Sequence, residues 1–182
     1  MSITFLDGLL ALIAVAICIW AFTQGLLRQL MSLGVFYFAT AVAGLFYPYA
    51  ATYVTAIGGE SPTLTETVMF WVLFLLATVA MEFLLRGGFP DTRLPVLGFM
   101  DNLLALAPGI LSALVIVSLL LSSLGHSTLE EWGDGPSESR TNLARACRDA
   151  SGRPYLSQFL RLYLLIHPWF RQPPPVLAYL LR

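Results

Sequence analysis

An ionisable side chain deep in lipid is costly and, where it occurs, a candidate for proton, ion or substrate handling. This chain has few residues placed to do such work. Glu82 is the only charge between Glu66 and Arg86. It stands four residues before Arg86, so an interfacial i,i+4 ion pair outweighs a proton or ion site. Neutralising Glu82 should then leave folding nearly intact. Asp7 and Asp101 each open an apolar stretch, where a carboxylate caps a helix. Arg28 sits alone in a short polar break near the headgroups. There it can bind the carbonyls that end the preceding helix, or a lipid phosphate. Topology and lipid anchoring outweigh substrate binding for it.

Catalysis finds little to build on. The only histidines, His126 and His167, lie in the last third of the chain, and no second His flanks His126-Ser127-Thr128-Leu129-Glu130. That makes a poor metal site. Cys18 and Cys147 do not form a disulfide framework and read as unpaired thiols. No nucleophile stands beside a base in a pattern that suggests an intramembrane hydrolase. Neither a cofactor nor a metal is expected.

The elements that carry these residues are apolar and long. Gly8 to Leu27, Gln29 to Gly59 and Asn102 to Leu124 hold no charge at all. A bilayer core of about 30 Å needs ~20 apolar helical residues to cross it. A soluble domain would give such helices a polar face. Composition agrees: hydrophobic residues make up 57% and charged ones 12%, with a mean hydropathy of +0.75. Soluble chains run near 45–50% and about 25%. Every basic residue is Arg, and the net charge of −1 gives no reason to expect nucleic acid. The expected fold is an all-α membrane protein, with four transmembrane helices followed by a C-terminal amphipathic helical tail. Residues 1–124 form the four-span membrane domain, and residues 125–182 a polar linker and tail.

Span 1 runs from about Asp7 to the Gln24–Leu27 break. It lacks a basic leader region, so it reads as an anchor that stays. Span 2 runs to about Tyr47; Pro48 should kink or end it, and Tyr49–Ile57 either continues it or lies at the interface. Thr63-Leu64-Thr65-Glu66 has capping-box spacing at the start of span 3. Asp101 is the expected N-cap of span 4, which Pro108 should bend. Pro154 to His167 reads as an amphipathic helix, and Pro154 to Arg182 preferably as a tail lying on the membrane surface, the alternative being a helix packed on the spans or simply mobile. His167-Pro168-Trp169-Phe170 resembles an interfacial aromatic anchor.

Basic residues mark cytoplasmic flanks. Arg28 lies between spans 1 and 2, and Arg86 and Arg93 between spans 3 and 4; the other flanks have no nearby basic residue. Both termini are therefore expected outside the cytoplasm. Small residues let helices approach closely in lipid. Ala105, Gly109 and Ala113 share a face of span 4; Gly44 and Gly25 offer others on spans 2 and 1. These are expected contact faces, within one chain or between copies. The expected partners are the lipid bilayer and, beyond it, further copies of the chain or other membrane proteins.

In order, these pieces resemble the CvpA family, the colicin V production proteins of bacterial inner membranes, over roughly Phe5 to Leu124. Three features carry the resemblance. Asp7 opens the first span. A Gly-x-x-Arg turn appears as Gln24-Gly25-Leu26-Leu27-Arg28-Gln29-Leu30. An Asp-led fourth span appears as Asp101-Asn102-Leu103-Leu104-Ala105-Leu106-Ala107-Pro108-Gly109. The family often has charge where Gln24, Gln29 and Asn102 stand, and Gly where Ala105 stands. The resemblance implies a multi-pass inner-membrane protein linked to production or export of a peptide toxin and to envelope upkeep, with no accepted reaction. A non-enzymatic accessory or scaffold factor is the leading expectation. A small oligomeric channel or transporter is the alternative.

Overall fold

The computed structural model describes residues 5–57, 61–89, 98–132 and 137–181. Arg93, used above to orient the chain, lies outside the described residues. Four stretches are helical, long and apolar enough to cross a membrane. The first is α1 (Phe5–Gln24), followed by α2 (Leu26–Ala56) and α3 (Pro62–Gly88). The fourth is broken into α4 (Phe99–Leu104) and α5 (Leu106–Ser127). The protein is multi-pass, and its spans meet the lipid bilayer.

Local chemistry explains most of the boundaries. Gly25 separates α1 from α2 with φ of 86°, a conformation that costs a residue with a side chain dearly. Pro108 has no N–H to give the Leu104 carbonyl, and the fourth span breaks at Ala105 between α4 and α5. Pro48 neither ends nor breaks α2, which runs on through Tyr49 to Ala56; membrane helices tolerate such a gap when neighbours cover it. The capping box fails. Ser61 is the N-cap of α3 and Pro62 its first residue, the position where a missing N–H costs nothing. Thr63 instead donates its N–H to Glu130 Oε2 at 3.3 Å. Glu66 Oε2 lies 2.8 Å from His126 Nε2. Both acids tie α3 to the end of α5 rather than closing on their own turn.

α5 is the hub. It touches α1, α2 and α3, and also the tail helices α6 (Glu138–Asp149), α7 (Arg153–Leu165) and α8 (Pro175–Ala178). Gly109, Ser112, Ala113, Ser118, Ser122, Ser123 and Gly125 run along it buried, and their small side chains let so many neighbours approach. α2 packs mainly on α3 and α1 on α5, while among the described residues α1 and α3 do not meet. One end of the bundle holds Gly25, Glu82 and Asp101; the other holds Asp7, Glu66 and His126.

The tail packs against the spans along one face. It does so through Leu156, Leu160, Tyr163, Leu164, Val176, Leu177 and Leu180, all buried. Tyr163 and Thr40 share a hydroxyl contact of 2.9 Å, and Tyr37 Oη donates to the Ile166 carbonyl at 2.7 Å. His167 is buried too, its ring stacked near Tyr37 and Phe170, while Trp169 of the same segment stays exposed. Gly44 makes room for the returning chain: a Cβ there would lie 2.5 Å from Phe170 Cζ. Gly125 does the same for Tyr179. At 1.5 Å per residue, Tyr37 lies about 14 Å along α2 from Arg28 and about 28 Å from Ala56. The tail thus descends beside α2 and α5 about two thirds of the way along α2, turns at His167–Trp169 and climbs back. A helix–helix groove lined by Gly and Ser buries an amphipathic face as well as a lipid interface does, and it also supplies Thr40 and Tyr37 as partners.

Both cysteines are free thiols. Cys147, on α6, is buried, and burial pushes its pKa up to about 11 against the opposing pull of Arg153. A maleimide at neutral pH should label it much more slowly in the native protein than in the unfolded chain. Equal rates would mean that α6 is not packed as described.

Candidate functional site

The polar residues of the Gly25 end come together from four helices. Arg28, in the first turn of α2, is buried and pairs through Nη2 with Glu82 Oε2 on α3. The other carboxylate oxygen accepts from Ser32 Oγ at 2.6 Å. Arg86 is the minor partner: its Nε is 4.0 Å away and its side chain is exposed. The expected Glu82–Arg86 pair is present as this longer contact, while Arg28, expected on lipid or on α1 carbonyls, is instead the nearer partner of Glu82. Two buried or half-buried charges in low dielectric find each other before either reaches outward.

Asp101 does not cap its own helix; Gly98 holds that position, without a side-chain cap. Asp101 is buried and its Oδ1 accepts from the Leu26 N–H at 3.0 Å. It therefore caps α2, across the bundle. The contact explains Gly25 a second time, because a Cβ there would lie 2.5 Å from Asp101 Oδ2. Asp101→Ala should lower stability by about 1–2 kcal/mol, as loss of a helix cap does. An unchanged thermal midpoint in detergent would remove that role. At the opposite end, Asp7 Oδ1 accepts from the Ser151 N–H at 3.0 Å, fastening the tail to the first turn of α1.

Small residues of the fourth span are spent within the chain. Ala105 and Ala113 are buried, and Gly109 meets Ala21 of α1 so closely that a Cβ would overlap it. Gly44 receives the tail rather than another span.

Sequence reading missed a cavity of about 430 Å³ between α1, α2 and α3. Its polar floor is Gln24, Gln29, Ser32, Thr78 and Glu82, and its walls include Ile13, Ile17, Trp20 and Phe36. Gln29 Nε2 donates to Ser112 Oγ at 3.1 Å, and Ser112 in turn donates to the Pro108 carbonyl at 2.9 Å. Because the Ser112 proton is used, the amide nitrogen must face it, and Gln29 Oε1 is left without a partner. Gln24 Oε1 and Thr78 Oγ1 are also buried and unpartnered. In the sequence, Gln24, Gln29 and Thr78 are polar positions within the apolar stretches. Among the described residues no group of His, Cys, Asp and Glu could hold a metal ion.

A family model described as Colicin V production protein matches residues 6–150. The match runs beyond the four spans and through α6, leaving α7 and the returning segment outside it. No curated protein and no solved structure matches the chain.

Proposed function

Since the chain belongs to the colicin V production protein family, we propose that it is a non-enzymatic accessory factor of the bacterial inner membrane. It would serve production or export of a peptide toxin, or upkeep of the envelope. One observation carries this reading: the ionisable groups inside the bundle are engaged in fastening helices. Arg28 holds Glu82, and Asp101 caps α2. Groups so engaged position spans; they do not activate a nucleophile or shuttle a proton. The experiment is deletion of the gene in its host, with complementation by the intact chain. Tolerance of detergents and bile-like agents should fall and return with complementation. Unchanged tolerance and unchanged toxin export would end the reading.

The orientation that fits this role has both termini outside the cytoplasm. Arg28 and Arg86 stand together at the Gly25 end, the cytoplasmic end by the positive-inside rule. Alkaline phosphatase joined after Leu181 should be active, and joined within residues 90–97 inactive. The opposite pair of results would invert the protein. A second reading, a small oligomeric channel or transporter, draws on the unpartnered Gln24, Gln29 and Thr78 oxygens beside a cavity in the spans. Solute flux in proteoliposomes would support it, and a tight monomer without flux would exclude it.

A further inference from the structure

The cavity between α1 and α3 is open on its flank, because those two helices do not meet and only α2 backs it. Trp20 at its edge is well exposed on the surface the spans turn to lipid. A buried amide oxygen without a partner carries a cost that a donor on a ligand would remove. Gln29 is 2% exposed and lines this space, and its Oε1 is buried without a partner.

We propose that this groove holds one membrane phospholipid, recognised by hydrogen-bond donors on its head: an ammonium or a hydroxyl group. Several observations lead there. The free groups of Gln24 and Gln29 are carbonyl oxygens, which only accept. Glu82, beside them, is a carboxylate already paired with Arg28 and Ser32, with only its remaining lone pairs open to a further donor. The site therefore calls for donors. The polar floor lies at the Gly25 end and the apolar walls run from Trp20 toward Ile13, the polarity order of a lipid in one leaflet. From Gln24 to Ile13 is about 16 Å of helix, close to the ~15 Å of one leaflet's hydrocarbon. Arg86, exposed beside Glu82, stands where a lipid phosphate would sit. The volume falls within the ~300–1,000 Å³ usual for ligand pockets. Binding is read on the isolated protein, so the inference stands apart from the accessory role proposed above.

Choline heads have neither N–H nor O–H, which makes phosphatidylcholine the deciding probe. The purified full chain would be studied by native mass spectrometry with phosphatidylethanolamine, phosphatidylglycerol and phosphatidylcholine of identical acyl chains. One lipid per chain should be retained from at least one of the first two. Phosphatidylcholine should bind about tenfold more weakly, the loss expected for one or two hydrogen bonds. Whichever of the two donor heads binds better identifies ammonium or hydroxyl. Gln24→Leu and Gln29→Leu should abolish the preference, and Ala16→Phe, which fills the groove, should abolish retention. Gln29→Leu also strips Ser112 of its partner; Gln24→Leu, free of that second role, keeps the test decisive. Equal retention of all three lipids would overturn the proposal. So would unchanged retention in Ala16→Phe, or a lipid-free dimer whose copies crosslink through cysteines placed at Ala16 and Thr78.

Discussion

Glu82→Gln should cost the folded protein about 3–5 kcal/mol, the range for removing one partner of a buried ion pair. Arg28 would remain buried in the bundle with no carboxylate to meet it. In lipid it has no water to fall back on. Arg28→Leu should cost less, because Glu82 keeps Ser32 and has exposed Arg86 within reach. The double variant Arg28→Leu, Glu82→Leu should recover most of the loss, since two apolar residues replace the pair without leaving a lone charge. Unfolding in detergent, followed for all three variants, reads the coupling directly. Glu82→Gln as stable as the parent chain, or losses that simply add, would show that the pair holds nothing together.

Gly109→Leu should be the next most damaging change. A Cβ at Gly109 overlaps the Cβ of Ala21, and both are fixed by their helices. Neither atom is the end of a flexible chain, so α1 must move away from α5. Gly109→Ala should already cost about 1–3 kcal/mol as overpacking, and leucine should cost more. The swap Ala21→Gly with Gly109→Ala should restore most of it by exchanging which helix carries the methyl group. Thermal unfolding in detergent is the measurement. A Gly109→Leu chain with an unshifted midpoint would mean that α1 does not pack where described. The contact lies within one chain, so loss should appear as a less stable monomer, whatever the oligomeric state.

These two predictions differ in how legible they were. The four-residue spacing of Ala105, Gly109 and Ala113 is a property of one helix, and it named the packing face before any partner was known. The Glu82 pairing is not a property of one helix. Spacing favoured Arg86, four residues on, because it is always near; Arg28 is 54 residues away and near only once α2 and α3 lie side by side. The same cause moved two caps. Asp101 and Glu66 stood at sound capping positions for their own helices, yet their carboxylates serve α2 and His126. Pro48 and Pro108 show the limit from another side. Each removes one backbone hydrogen bond, yet only the helix at Pro108 is broken.

Sequence alone determined the class, the number of spans, the glycine turn at 25 and the small-residue face of the fourth span. Each follows from lengths of apolar chain, backbone freedom or helical period, which are local quantities. Tertiary structure alone decided which acid meets which base, and that the tail packs against the spans. It also decided that Gln24, Gln29 and Thr78 face a shared cavity. Those outcomes depend on distances between helices far apart in the chain. In lipid, moreover, a polar atom takes whichever partner packing brings within reach, because no solvent stands ready to replace it.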